Sequence, residues 1–167
     1  MFLIGGRANM IEIVEGDLFS SKEKYLVHQT NCISKRSAHL AKSVFTRYPY
    51  ADVYSNRINP DVPGTISIKG NGLDKRYVVS LFGQYYPGLP KYPASELDGT
   101  DVREKYFRKG LLAISKIKDL ESVAFPYRIG CGAAGGDWNH YLFHIENFEK
   151  LVLKQNVKVL IYKLGDL

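Results

Sequence analysis

The residues of this chain best equipped for chemistry fall in a few short clusters. The first, His28-Gln29-Thr30-Asn31-Cys32, ends an apolar run. The Asn31 amide there can orient a hydroxyl or a water, or it can satisfy neighbouring backbone groups. His39 follows a polar, basic loop, Ile33 to Ala38. An imidazole at that point is either a general acid or base near neutral pH or an ordinary surface histidine. Asp17 sits in a Gly-Asp-Leu turn, as a turn or helix cap or as an acceptor for an exocyclic amine such as that of adenine.

A second cluster is Tyr127-Arg128-Ile129-Gly130-Cys131-Gly132-Ala133-Ala134-Gly135-Gly136-Asp137-Trp138. The apolar run 122–126 precedes it and a helix-like segment from about Asn139 follows. Small side chains let the backbone bend sharply and approach a ligand. Backbone N–H groups at a strand-to-helix junction suit a phosphate. The loop reads as a pyrophosphate cradle, with a ligand-free tight turn as the alternative. Cys131, between glycines in an N–H-rich loop, is expected to have a lowered thiol pKa if it is a nucleophile. As a small core filler it would do no chemistry. Asp137 reads as a helix cap, with Trp138 packed behind the loop.

Four histidines and two cysteines, Cys32 and Cys131, form no zinc set and no disulfide framework. That points to a cytoplasmic or nuclear protein with free thiols. His28 falls in a strand and reads as a core residue. His140 and His144, at i and i+4, have metal-ligand spacing but no visible third ligand, so they read as packing or solvated groups. The chain of 167 residues has a formal charge of +6 and 45% hydrophobic residues. This fits one domain with a real core and an anionic ligand. No apolar run reaches the roughly 18 residues of a membrane span. The start lacks the basic region and length of a signal peptide. Met10 is an alternative start, and residues 1–9 are expected to be peripheral.

These groups must be positioned by regular elements. Strands are expected at Met10–Val14, Tyr25–Gln29, Gly64–Ile68, Arg76–Phe82, Ser122–Pro126 and Val157–Leu164. Helices are expected at His39–Tyr48, Asp101–Lys116 and Tyr141–Leu153. The first helix would bury Leu40, Ala41, Val44, Phe45 and Tyr48. The second would bury Tyr106, Leu111, Leu112 and Ile114, capped by Thr100 or Asp101. The third would bury Leu142, Ile145, Phe148, Leu151 and Val152. The order predicts an α/β fold with a mostly parallel sheet and helices on both faces. Ligands bind such sheets beyond the carboxyl ends of the strands. Three segments, 29–37, 83–92 and 128–136, are therefore expected to line one cleft. The rigid 83–99 loop, rich in tyrosine and proline, is long enough to be functional. Its tyrosines could stack on a base or sugar, as could Tyr162 from the opposite wall.

Taken together, five pieces resemble a macrodomain, the ADP-ribose-binding module, over roughly residues 10–164. They are Ile11-Glu-Ile-Val-Glu-Gly-Asp17-Leu18, His28 to Cys32, the strand Tyr77 to Phe82, the loop Ile129 to Trp138, and the terminal Val-Leu-Ile-Tyr162-Lys-Leu. The resemblance implies a three-layer α/β/α sandwich around a mixed, mostly parallel sheet. It implies that Asp17, with Leu18, binds adenine and that Tyr162 flanks it. Asn31 and the loop holding Ser34, Lys35, Arg36, Ser37 and His39 would surround the distal ribose. Gln84 and Tyr85 would line the ligand after the central strand. Ile129, Gly130, Cys131, Gly132, Ala133, Ala134 and Gly135 would hold the pyrophosphate. No cofactor or metal is implied.

The first loop differs from that of many macrodomain hydrolases, having neither a glycine run nor an acid. The branch that frees glutamate from ADP-ribose uses a lysine and an aspartate. The matching places here are near Gly83-Gln84 and at Ala134. The pattern is most similar to the ADP-ribose-1″-phosphate phosphatase branch, linked to tRNA-splicing by-products. In it Lys35 and Arg36 suit a terminal phosphate, and Asn31 and His39 are the catalytic candidates. A monomer acting on ADP-ribose 1″-phosphate is the expectation. The alternatives are a non-catalytic ADP-ribose reader, or a hydrolase acting on ADP-ribosylated protein or nucleic acid.

Overall fold

A computed structural model describes residues 11–90 and 96–165. Met10, Tyr92, Pro93 and residues 1–9 lie outside the described residues. The elements run β1 (Glu12–Glu15), β2 (Tyr25–Asn31), α1 (His39–Arg47), β3 (Ile66–Lys69), β4 (Tyr77–Gln84), α2 (Thr100–Ser115), β5 (Ser122–Pro126), α3 (Trp138–Leu153) and β6 (Lys158–Lys163). Single 3-10 turns occupy Leu18–Ser20 and Pro49–Ala51. The sheet has six strands in the order β1-β6-β5-β2-β4-β3. Only the β3–β4 pair is antiparallel. The mixed, mostly parallel sheet of the sequence reading is present.

Alternation along the central strands separates two cores, because successive side chains leave a strand on opposite faces. Leu26, Val78 and Ala124 pack with Ala41, Val44 and Phe45 of α1. On the other face Tyr25, Val27, Val79, Leu81, Val123 and Phe125 meet α2 and α3. The inward faces of the helices are narrower than the sequence suggested. Leu40, Leu112 and Leu151 are exposed. The buried stripe of α2 is Phe107, Leu111 and Ile114, and that of α3 is Tyr141, Ile145, Phe148 and Val152. Gly110 faces Leu81 so closely that an added Cβ would lie 2.4 Å from its Cγ. The close approach of α2 to the sheet therefore requires glycine there.

Helix starts were partly legible. Asp137 caps α3 by accepting the Asn139 N–H at 2.9 Å. Neither Thr100 nor Asp101 caps α2: Gly99 is the capping position and no side chain bonds the helix end. The carboxylate just upstream, Asp98, is turned inward and engaged elsewhere.

Candidate functional site

The carboxyl ends of β2, β4 and β5 open into one cleft of about 430 Å³, within the usual range for small-ligand sites. The first loop contributes Asn31, Ser34, Arg36 and His39. The second contributes Gln84, Pro87 and Gly88, and the third the run Tyr127 to Ala134. The three segments singled out from the sequence thus meet as expected. Lys35, Ser37, Tyr85 and Gly135 belong to the same loops but do not line the cleft wall.

Asp17 lies in an adjoining depression with Phe19, Lys42, Ser43, Thr46 and Arg47. One carboxylate oxygen caps the 3-10 turn by accepting the Phe19 N–H at 2.9 Å. Leu18 is buried in the smaller core. Tyr162 donates its hydroxyl proton to Glu23. Burial, with the Glu23 carboxylate, pushes its pKa up to about 12. The ring lies beside the Asp17 turn, where a Cβ on Gly16 would be 3.7 Å from it.

Asn31 ends β2 and turns the chain. Its Oδ1 accepts the N–H groups of Ile33 (3.1 Å) and Ser34 (2.8 Å). That is the local role foreseen as one alternative, and it folds the first loop back over the strand. The Asn31 N–H donates to the Tyr54 hydroxyl at 2.9 Å, and Tyr54 itself lines the cleft. Arg57 donates to the Ser34 carbonyl (2.9 Å), the Asn31 carbonyl (3.0 Å) and Asp61 (2.8 Å). His39 begins α1 with φ +53, in the left-handed region that costs a side chain energy. It is exposed at the cleft wall.

The third loop turns on Arg128 (φ +62), Gly130 (φ +77) and Gly135 (φ +78). A side chain at Gly130 would collide with the Tyr141 ring, its Cβ 2.5 Å away. Within the loop, Cys131 N–H donates to the Arg128 carbonyl, Gly135 N–H to Gly132 and Gly136 N–H to Gly130. Among the described residues, no group accepts the N–H of Gly132, Ala133 or Ala134. Three successive amides of cleft-lining residues are thus without an acceptor, as the amides of an anion nest are before the anion binds. A Cβ at Gly132 would meet nothing within 4 Å, so the backbone is open on that side.

Of the two readings of Cys131 the structure shows the core filler. Cys131 is buried and its pKa is pushed up to about 12. Desolvation outweighs the nearby Arg128 charge, and the Sγ–H donates to the Ile129 carbonyl. It is a core filler, as is Cys32, also pushed up to about 12 by burial. His28 is fully buried against Phe45 with Nε2 3.0 Å from the Ser80 hydroxyl. His140 and His144 share Glu104 of α2, at 2.9 Å each. No set of three metal-type side chains with metal geometry occurs among the described residues. Gln84 is held at both ends of its amide: its Oε1 accepts from Gln29 at 2.7 Å and its Nε2 donates to the Tyr86 carbonyl at 2.9 Å.

Sequence reasoning missed Tyr54, Arg57 and Arg103. Tyr54 and Arg57 stand in a polar stretch with no periodic signal, and Arg103 is a charge near a helix start that no sequence motif marks.

No family model matches the sequence, and no curated protein matches it. Solved structures do. The Mycobacterium tuberculosis DarG macrodomain superposes with TM-score 0.68 at 21% identity, over 92% of this chain and 97% of that one. The Thermus aquaticus DarG macrodomain gives 0.63 at 17%, over 93% and 98%. A Trypanosoma brucei macrodomain in complex with ADP-ribose gives 0.64 at 13%, over 92% and 63%. The fold is that of a macrodomain.

Proposed function

We propose that the cleft binds ADP-ribose through its pyrophosphate, held on the open amides of Gly132, Ala133 and Ala134. That row of unpaired N–H groups is the observation that carries the reading. A net charge of +6 and the presence of Arg36 and Arg128 in the wall favour an anion. The Trypanosoma brucei structure, with ADP-ribose on the same fold, supports the choice of ligand. Asp17 and Tyr162 would meet the adenine, and Asn31 and Ser34 the distal ribose.

The reaction proposed is hydrolysis of ADP-ribose 1″-phosphate to ADP-ribose and phosphate. Water oxygen bonds to phosphorus as the bond to the 1″-oxygen breaks. His39 would donate a proton to the leaving oxygen, while Arg36, on the same wall, would hold the phosphate. Among the described residues no carboxylate lines the cleft, and His39 is the imidazole in its wall. Phosphate release from ADP-ribose 1″-phosphate, measured for wild type and His39→Ala, tests it. Full activity in the variant removes His39 from the mechanism.

The second reading is a non-catalytic reader of ADP-ribose. The fully engaged amide of Gln84, where a lysine would act in one hydrolase branch, favours it. Tight calorimetric binding of ADP-ribose without turnover of the phosphate, or of ADP-ribosylated protein or nucleic acid, would select it.

A further inference from the structure

The second and third loops of the cleft meet behind its wall at one buried side chain. Arg103, in the first turn of α2, is 2% exposed, and its partner Asp98 is fully buried. The guanidinium Nε donates to Asp98 Oδ1 at 3.0 Å, and one terminal nitrogen bonds Asp98 Oδ2. That same nitrogen donates to the Tyr86 carbonyl at 3.1 Å. The other donates to the Gly88 carbonyl at 2.6 Å and the Ala134 carbonyl at 3.2 Å. Five bonds match the five donors of an arginine. Asp98 Oδ1 also accepts the N–H groups of Tyr85 (2.9 Å) and Tyr86 (3.4 Å).

A buried ion pair is weak evidence for stability, since apolar residues of similar volume often serve as well. Here Arg103's own bonds beyond the pair go, among the described residues, to loop backbone. Asp98 and one terminal nitrogen hold the second loop at residues 85 and 86. The other nitrogen joins Gly88 of that loop to Ala134, the last residue of the open amide row. The planar fork fixes the spacing between these two backbones in a way that a single ammonium cannot.

We propose that Arg103, oriented by Asp98, is the positioning residue of the cleft. It sets the distance between the second loop and the amide row without touching the ligand. The inference deepens the ADP-ribose reading and rests on it for the identity of the ligand.

The test uses Arg103→Lys, which keeps the charge beside Asp98, and Asp98→Asn as a second variant should the first fold poorly. In the ligand-free proteins, amide hydrogen exchange should accelerate together in residues 84–88 and 130–135. It should stay unchanged in residues 31–34. ADP-ribose affinity should fall roughly 10- to 100-fold, the scale set by ångström-level misplacement. AMP affinity should hold within about twofold, because the proposed adenosine contacts at Asp17 are not tied to Arg103. Exchange that stays unchanged, or rises uniformly across the chain, overturns the proposal, as does an equal loss for both ligands. The exchange pattern needs no ligand. If it appears while wild type fails to bind ADP-ribose, the clamp stands and the ligand reading falls.

Discussion

Two buried arginines hold the cleft, and they hold its two sides differently. Arg57 ties the first loop from behind, with its guanidinium 5.0 Å from the Tyr54 ring centroid and 5.9 Å from that of Phe82. Its partner Asp61 is 41% exposed, and its own Nε has no acceptor. Arg103 ties the second and third loops together, with all five donors engaged and a carboxylate that water does not reach. The amide row is thus anchored from a dry, saturated node. The loop leading to His39 is anchored by a half-wet one. Segments with solvent-reached bonds open more readily. On this contrast the amide row proposed to grip a pyrophosphate is the rigid side, and the side carrying the candidate acid is the one free to adjust.

That contrast can be broken by experiment. The largest effect is expected from Arg103→Met. Leaving Asp98 buried without its partner should cost about 3–5 kcal/mol in denaturant unfolding. A cost similar to that of Arg57→Met would erase the distinction. Acid should act next, through His28. The folded protein holds this imidazole neutral, with its pKa lowered by burial to about 3, while the unfolded chain takes the proton near 6.5. Stability should therefore be full above pH 6.5 and fall below it, by on the order of 1 kcal/mol per pH unit. His28 lies on β2 against Phe45 of α1, so exchange at residues 31–37 should rise before that at 130–135 as the pH drops. A pH-independent stability between 4.5 and 6.5 would contradict this.

A smaller loss, about 1–2 kcal/mol, is expected for Arg57→Met, because the freed Asp61 carboxylate can be solvated. Urea midpoints measure it. His39→Gly should change stability by no more than about 1 kcal/mol, since relief of the left-handed strain offsets the entropy of glycine. Phosphate release should nonetheless stop, which separates a strained catalytic residue from a strained structural one. The smallest effect concerns Cys131. With its pKa pushed up to about 12, it should resist iodoacetamide at pH 8, as followed by mass spectrometry. Rapid alkylation would show that the third loop opens easily and is not the rigid side.

Much of the scaffold could be read from the chain. Alternation at β1, short apolar and β-branched runs at the buried strands and a period of 3.6 in the helices located the six strands and three α-helices of the described residues, because burial on a pleated or helical surface selects those patterns. Gly130, Gly135 and Asp137 announced the third loop through backbone needs that few other residues meet. The reading stayed open where one residue type serves two environments. Cys131 in an amide-rich loop could be a reactive thiol or a core filler, and desolvation decides for the filler. Asp98 and Arg103, which carry no periodic or motif signal, are buried. Asn31 was foreseen in both of its roles, and the local one is visible in its bonds to Ile33 and Ser34.

The sequence by itself determined the order of elements, the glycine-bearing turns and which strand ends carry polar loops, since these follow from local sterics and hydrophobic period. Only the tertiary structure decided which charges face the cleft and which stand behind it. Arg36 and Arg128 line the wall, while Arg57 and Arg103 hold it from within. A charged side chain's role depends on the solvent it loses and the partners it gains, and both are set by segments distant in the chain: Gly88 and Ala134 meet Arg103 from 15 and 31 residues away.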